Sequence, residues 1–221
     1  DSTSYVGTLQ GCREAGILLR QEALRRGYAR AQTTIYIGDG AAWVWENARL
    51  NFPGAIEILD FYHAAEHAGN LARAIWETDP EKAANYQKRW RNKMKQSSAD
   101  PVIESARRLL KRRREEMTME QKESIAAELQ YFESNRQRMR YGHFREKGYF
   151  IGSGVIEAGC KTVIGRRMKQ SGMFWSEPGA ESILNLRGLI LGPHLERGWE
   201  ARTEIVKKKQ KVAQRWSPQF N

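Results

Sequence analysis

Apolar and polar positions change their period several times along the chain, and those changes divide it into elements. Over residues 14–30 the apolar Ile17, Leu18, Leu24 and Tyr28 follow a loose helical period that Gly27 weakens near its end. Thr33-Thr34-Ile35-Tyr36-Ile37 and Ala55-Ile56-Glu57-Ile58-Leu59-Asp60 are short runs rich in β-branched residues, bounded by Gly or Pro turn signals, and predict buried strands. Residues 41–51 between them are helical in pattern until Phe52-Pro53-Gly54 breaks the run, and residues 5–9 read as a further short strand. Strand, helix, strand, helix, strand is the order of an α/β fold. Connections this short predict that the last two strands lie parallel through a right-handed crossover. Asp39 and Asp60 then share the carboxyl edge of the sheet, where ligands of α/β folds bind.

From residue 63 to about 137 the pattern becomes almost wholly helical and highly charged. Asp79-Pro80 and Asp100-Pro101 punctuate it, with Asp suited to cap and Pro to open a helix. Its basic run Arg107-Arg108-Leu109-Leu110-Lys111-Arg112-Arg113-Arg114 fits either a phosphate-gripping surface or a solvated helix face beside Glu115 and Glu116. A glycine-punctuated loop over 148–154 then leads into a helix over 155–169, with Glu157 in its first turn. A second helix over 177–191 carries the apolar stripe Ala180, Ile183, Leu184 and Leu191 and stops at Gly192-Pro193. The predicted division is 1–63 as a partial α/β core, 64–140 as a helical insertion lobe, 141–192 as a return to the core, and 193–221 as a basic C-terminal helix and tail.

Composition narrows the class of protein. A chain of 221 residues with 40% hydrophobic residues and seven tryptophans is long enough to bury a sizeable core. No run approaches about 18 consecutive apolar residues, and the N-terminus lacks the charge and apolar pattern of a signal peptide, which predicts a cytoplasmic protein with no membrane partner. Two distant cysteines, Cys12 and Cys160, cannot form a ligand cluster by themselves. The formal charge of +11 makes a polyanion, nucleic acid first, the leading class of partner, with a solvated basic surface as the bland alternative.

Three carboxylates stand where carboxylates are otherwise awkward: Asp39 between glycines, Asp60 at the end of an apolar strand, and Glu157 just past a glycine loop. Singly, each has an ordinary explanation as a turn former, a helix cap or a partner of the helix dipole. Together they suit phosphodiester chemistry, in which hard oxygen ligands hold two divalent ions roughly 3.5–4 Å apart, with Mg²⁺ (or Mn²⁺) expected. Lys161, one turn after Glu157, is placed to offset phosphate charge.

Several segments resemble the DDE transposases of bacterial insertion sequences, specifically a Mutator-like branch with an RNase H-like catalytic domain. The resemblance rests on Gly38-Asp39-Gly40-Ala41-Ala42-Trp43-Val44-Trp45, on Phe52-Pro53-Gly54-Ala55 followed by Leu59-Asp60-Phe61-Tyr62-His63-Ala64-Ala65-Glu66-His67, and on Ile151-Gly152-Ser153-Gly154-Val155-Ile156-Glu157-Ala158-Gly159-Cys160-Lys161. Gly165-Arg166-Arg167-Met168-Lys169-Gln170-Ser171-Gly172-Met173-Phe174-Trp175 and Gly179-Ala180 extend it. It implies that Asp39 is the second aspartate and Glu157 the glutamate of a DNA-cleaving and strand-transferring site. Asp60 and His63 would support that site as an Asp-x-x-His element, and Lys161, Arg166, Arg167 and Lys169 would contact DNA. The implied partners are element ends and target DNA, and a homo-oligomer. Such transposases carry a first aspartate on the first strand, and nothing here fills that place; Asp1 is a poor substitute. The expectation is therefore an incomplete RNase H-like core lacking its first two strands, catalytically deficient as an isolated segment.

Two rival readings remain at this level. His63-Ala64-Ala65-Glu66-His67 matches the H-x-x-E-H pattern of zinc proteases, without an identifiable third ligand. Alternatively the chain is a non-catalytic DNA-binding remnant, with Trp43, Trp45, Trp76, Trp90 and Trp175 divided between base stacking and core packing.

Overall fold

The β-branched runs do form strands, and they find each other. In the computed structural model, which describes residues 3–193 and 195–215, β1 (Ile35–Gly38) and β2 (Ile56–Leu59) pair in parallel, Ile35 opposite Ile56 and Gly38 opposite Leu59. The crossover is α2 (Ala42–Asn51), whose Val44, Trp45 and Ala48 are buried. The ladder runs one step past β2, where the Asp60 N–H donates to the Gly38 carbonyl at 2.7 Å. Asp39 and Asp60 therefore follow adjacent strand ends, as predicted. These two strands are the whole sheet among the described residues. The α/β expectation thus holds coarsely: the chain is mostly helical and carries a small parallel sheet.

Within the unit Gly27–Val155, one core joins this sheet to the helices that follow. α3 (Phe61–Ile75) buries Phe61, Ala64, Ala65, Ala68, Leu71, Ala72 and Ile75, a stripe at helical spacing whose alanines permit close packing of α4 (Pro80–Gln96) and α6 (Met119–Ser134). Trp90 and Met94 of α4, Val102 and Ala106 of α5 (Asp100–Arg113), and Ile125 and Phe132 of α6 meet Ile58 and Leu59 in the same core. Each fully buried large apolar side chain contributes about 1.5–3 kcal/mol, so the short strands depend on this helical packing. α7 (Tyr141–Glu146) closes in on α4 at Gly142, whose N–H donates to the Ser97 carbonyl at 2.7 Å. A Cβ at Gly142 would lie 2.5 Å from the Gln96 carbonyl oxygen, so only glycine allows that approach.

The helix signals are realised unevenly. Asp79 caps α4 by accepting from the Lys82 N–H with Pro80 in the first turn, and Thr118 with Gln121 forms a reciprocal capping box on α6. Asp100, expected as a cap, is instead the first residue of α5. Its carboxylate accepts from Ser98 Oγ and is paired with Arg136, contacts that draw it away from the capping position.

Among its described residues, the unit Asp1–Arg26 with Ile156–Asn221 is mostly helical. α1 (Cys12–Arg25) is shorter than the predicted 14–30, because Gly27 adopts a left-handed conformation and a 3₁₀ turn, Tyr28–Arg30, follows. Residues 5–9 do not form the expected strand. They lack a strand partner among the described residues and lie against helices: a Cβ at Gly188 would meet the Tyr5 carbonyl oxygen at 2.8 Å, and one at Gly159 the Tyr5 ring at 2.6 Å. The helical run predicted over 155–169 spans three pieces, α8 (Gly154–Gly159), a π-helical stretch (Cys160–Gly165) and α9 (Arg166–Met168). α10 (Glu177–Leu191) has the predicted bounds, with Ser176 as its cap and Ala180 and Leu184 buried. α11 (Leu195–Arg215) accounts for the basic C-terminal helix; Asp1 and the tail beyond 215 lie outside the described residues. No helix among the described residues is long and apolar enough to cross a membrane.

Candidate active site at the carboxyl edge of the sheet

Asp60 and Asp39 follow adjacent strands but are used differently. Asp60 is buried, 4% exposed, and both its oxygens are engaged by backbone. Oδ1 accepts from the N–H groups of Tyr62 at 2.7 Å and His63 at 3.0 Å, which caps α3, and Oδ2 accepts from the Ser153 N–H. The Phe61 N–H donates to the Ile151 carbonyl at 2.8 Å beside it. Asp60 thus ties the end of β2, the start of α3 and the glycine loop before α8 into one knot.

Asp39 is exposed. Its Oδ1 accepts from the Ala41 N–H at 3.1 Å, an Asx turn that leads into α2. Gly40 takes φ +98, and a Cβ there would lie 2.6 Å from Tyr131 Oη and 2.9 Å from Leu59 Cδ1, so the turn is closed from outside as well as by its own dihedral. Tyr131 Oη donates to the Asp39 carbonyl at 3.1 Å.

His63 and His67, one turn apart on α3, have ring centroids 5.0 Å apart. His67 stacks on Tyr131 at 3.6 Å and 15°, and its Nδ1 lies 2.7 Å from a Glu128 carboxylate oxygen. Glu66 is 3.8 Å from His63 Nδ1. Burial, then the negative charges of Asp39, Glu128, Asp60 and Glu66, push the Tyr131 phenol well above its ordinary pKa. The H-x-x-E-H histidines therefore sit in an aromatic and carboxylate network, one face of His67 covered and its Nδ1 engaged.

On its own unit, Glu157 is exposed and its Oε1 accepts from Lys161 Nζ at 2.7 Å, a pair that raises the lysine's pKa. At the end of α8, three residues on, begins the π-helical stretch, a geometry recurrent at functional sites. Arg187 of α10 holds that stretch: Nε donates to the Val163 carbonyl at 2.6 Å and Nη2 to that of Thr162. Arg166, Arg167 and Lys169 are exposed, with the Arg167 guanidinium 5.6 Å from the centre of the Trp175 ring.

Among the described residues, no group of three or more His, Cys, Asp or Glu is arranged to hold a metal ion. The donor chemistry nonetheless separates the carboxylates: exposed Asp39 fits as one ligand of a hard cation, whereas buried Asp60, spent on three N–H groups, does not. Trp45 and Trp90, weighed above as stacking residues, are buried, and Trp76 is partly buried; Trp43 is 47% exposed. Sequence reasoning missed Glu128 and Tyr131, which reach the site from α6 across more than sixty residues of chain. No local pattern marks them. No protein-family model matches the chain, and comparisons with curated proteins and with solved structures likewise gave no match.

Proposed function

We propose that this chain is part of the catalytic domain of a DDE-type DNA transposase, with Asp39 and Glu157 as two of its metal-ligating carboxylates. The observation that carries the reading is the contrast at the sheet's carboxyl edge. Asp60 is accounted for by folding, whereas Asp39 is presented to solvent from a turn held on two sides. A carboxylate held in place yet exposed is what ligation of a hard cation requires. Mg²⁺ bound there would activate the attacking oxygen and stabilise the leaving one. Asp39 would supply a preset ligand, and Glu157 a second from the first turn of α8. Lys161, Arg166, Arg167 and Lys169 would contact the DNA backbone, for which their exposure suits them. Asp60 would shape the edge, and His63, beside it on α3, would stay a supporting residue.

The test is Mg²⁺-dependent cleavage of insertion-sequence end DNA by the complete gene product. Asp39→Asn and Glu157→Gln should each reduce cleavage by more than about a hundredfold, beyond the loss typical of residues that only support a metal ligand, with DNA affinity retained. Cleavage that survives both changes rejects the reading. DNA binding without any metal-dependent cleavage by the unaltered protein would favour the non-catalytic alternative, for which the Arg166–Lys169 cluster beside Trp175 is the supporting feature.

A further inference from the structure

The turn that carries Asp39 is braced by a helix distant in sequence, and the brace is built of groups that no motif in the chain singles out together. Tyr131 Oη donates to the Asp39 carbonyl at 3.1 Å, while on the other side of the same residue the carboxylate accepts from Ala41 N–H at 3.1 Å. The two bonds act on the backbone and the side chain of one residue, so together they restrict its ψ and its χ1. Between them lies Gly40, at φ +98 and without room for a Cβ because the Tyr131 hydroxyl and ring edge lie 2.6 and 3.1 Å from that position.

Tyr131 is itself held. Its ring lies flat on His67 at 3.6 Å and 15°, and meets Phe132 edge-on at 6.0 Å. His67 is fastened in turn by the 2.7 Å contact of Nδ1 with Glu128, which sits three residues before Tyr131 and so on the same face of α6. Glu128, His67 and Tyr131 form a closed chain between α3 and α6 that ends on the Asp39 carbonyl.

We propose that Tyr131, braced by His67 and Glu128, is a positioning residue that sets the Asp39–Gly40 turn and so aims the Asp39 carboxylate. This rests on the reading of Asp39 as a metal ligand. Packing alone does not account for the arrangement, since a phenylalanine would fill the same space and stack equally well on His67.

The experiment pairs amide hydrogen exchange over residues 38–44 with cleavage kinetics in the complete gene product. Tyr131→Phe keeps the ring and loses one neutral hydrogen bond, so the Ala41 amide, which the Asp39 carboxylate accepts from, should exchange roughly 3- to 10-fold faster. Turnover should fall by a similar factor, the Mg²⁺ concentration for half-maximal cleavage should rise, and DNA affinity should stay unchanged. His67→Phe, which preserves the stack but loses the Glu128 contact, should fall between the unaltered protein and Tyr131→Phe, whereas His67→Ala, which loses both, should approach Tyr131→Phe. Unaltered exchange at Ala41 in Tyr131→Phe overturns the proposal. So does faster exchange with turnover and Mg²⁺ dependence both unmoved. If the unaltered protein shows no metal-dependent cleavage while exchange still accelerates in Tyr131→Phe, the brace on the turn is upheld and the transposase reading alone falls.

Discussion

Replacing Asp60 by asparagine separates a folding role from a chemical one, because the two side chains have nearly the same shape. A carboxylate that only served chemistry could be amidated at little cost to stability. Asp60 accepts three backbone N–H bonds through two oxygens while only 4% exposed. In the Asp60→Asn variant the single amide oxygen can still cap α3, since asparagine caps as well as aspartate. The amide nitrogen then faces the Ser153 N–H, donor against donor. One charge-assisted hydrogen bond is lost, about 1.5–3 kcal/mol. A negative charge at the start of α3 is lost as well, about 0.3–1 kcal/mol. The sum is about 2–4 kcal/mol, which for a chain of this size lowers the melting temperature by roughly 5–15 °C. Far-UV circular dichroism during heating or urea unfolding measures it, and exchange of the Ser153 amide should accelerate in parallel. A melting temperature within a degree or two of the unaltered protein would refute the assignment of Asp60 as a structural knot.

Other residues give independent checks. Tyr141 is fully buried and its hydroxyl has no hydrogen-bond partner among the described residues, so Tyr141→Phe should raise stability by about 1 kcal/mol in urea titrations; a loss instead would mean that the hydroxyl is satisfied. Burial also raises the phenol pKa of Tyr131, Tyr141 and Tyr36 in the folded state. Their stabilising contribution is therefore complete below the unfolded value near pH 10 and declines as pH rises from there towards the folded values. Unfolding midpoints should accordingly drop above about pH 10, less steeply in Tyr131→Phe, and parallel curves for the two proteins would count against the shift. Arg187→Met leaves the Thr162 and Val163 carbonyls without the guanidinium and should cost about 2 kcal/mol or more, with faster amide exchange over 160–168; unchanged exchange there would show that the π-helical stretch holds itself.

What could be read from the sequence was local or nearly so. The β-branched runs, their parallel pairing through a short crossover, the cap at Asp79 and the bounds of α10 all follow from patterns within a few residues or from the handedness of connections. The failures came where a distant partner decides. Residues 5–9 have a strand-like composition, but their neighbours are the helical glycines 159 and 188. Asp100 follows the capping pattern, but Arg136 and Ser98 draw its carboxylate elsewhere. At the candidate site both aspartates were legible because each stands at a strand end, whereas Tyr131 and Glu128 lie in a charged helix with nothing to distinguish them from surface residues.

The same distinction bears on how a carboxylate at a sheet edge should be weighed. Sequence position made Asp39 and Asp60 equivalent, each an acid one residue past an apolar strand. Hydrogen bonding makes them opposites. Each buried N–H that Asp60 satisfies would be left without a partner if the carboxylate turned towards a ligand, so any chemistry there would have to exceed the cost of undoing the knot, of the order of 1–3 kcal/mol for each orphaned group. Asp39 carries a smaller penalty: its one backbone bond is at the surface, where water can replace it, and the turn is held by Gly40 and Tyr131 as well as by that bond. A side chain whose position is maintained by other groups is free to exchange water for an incoming cation or phosphate, and of the two aspartates only residue 39 meets that condition.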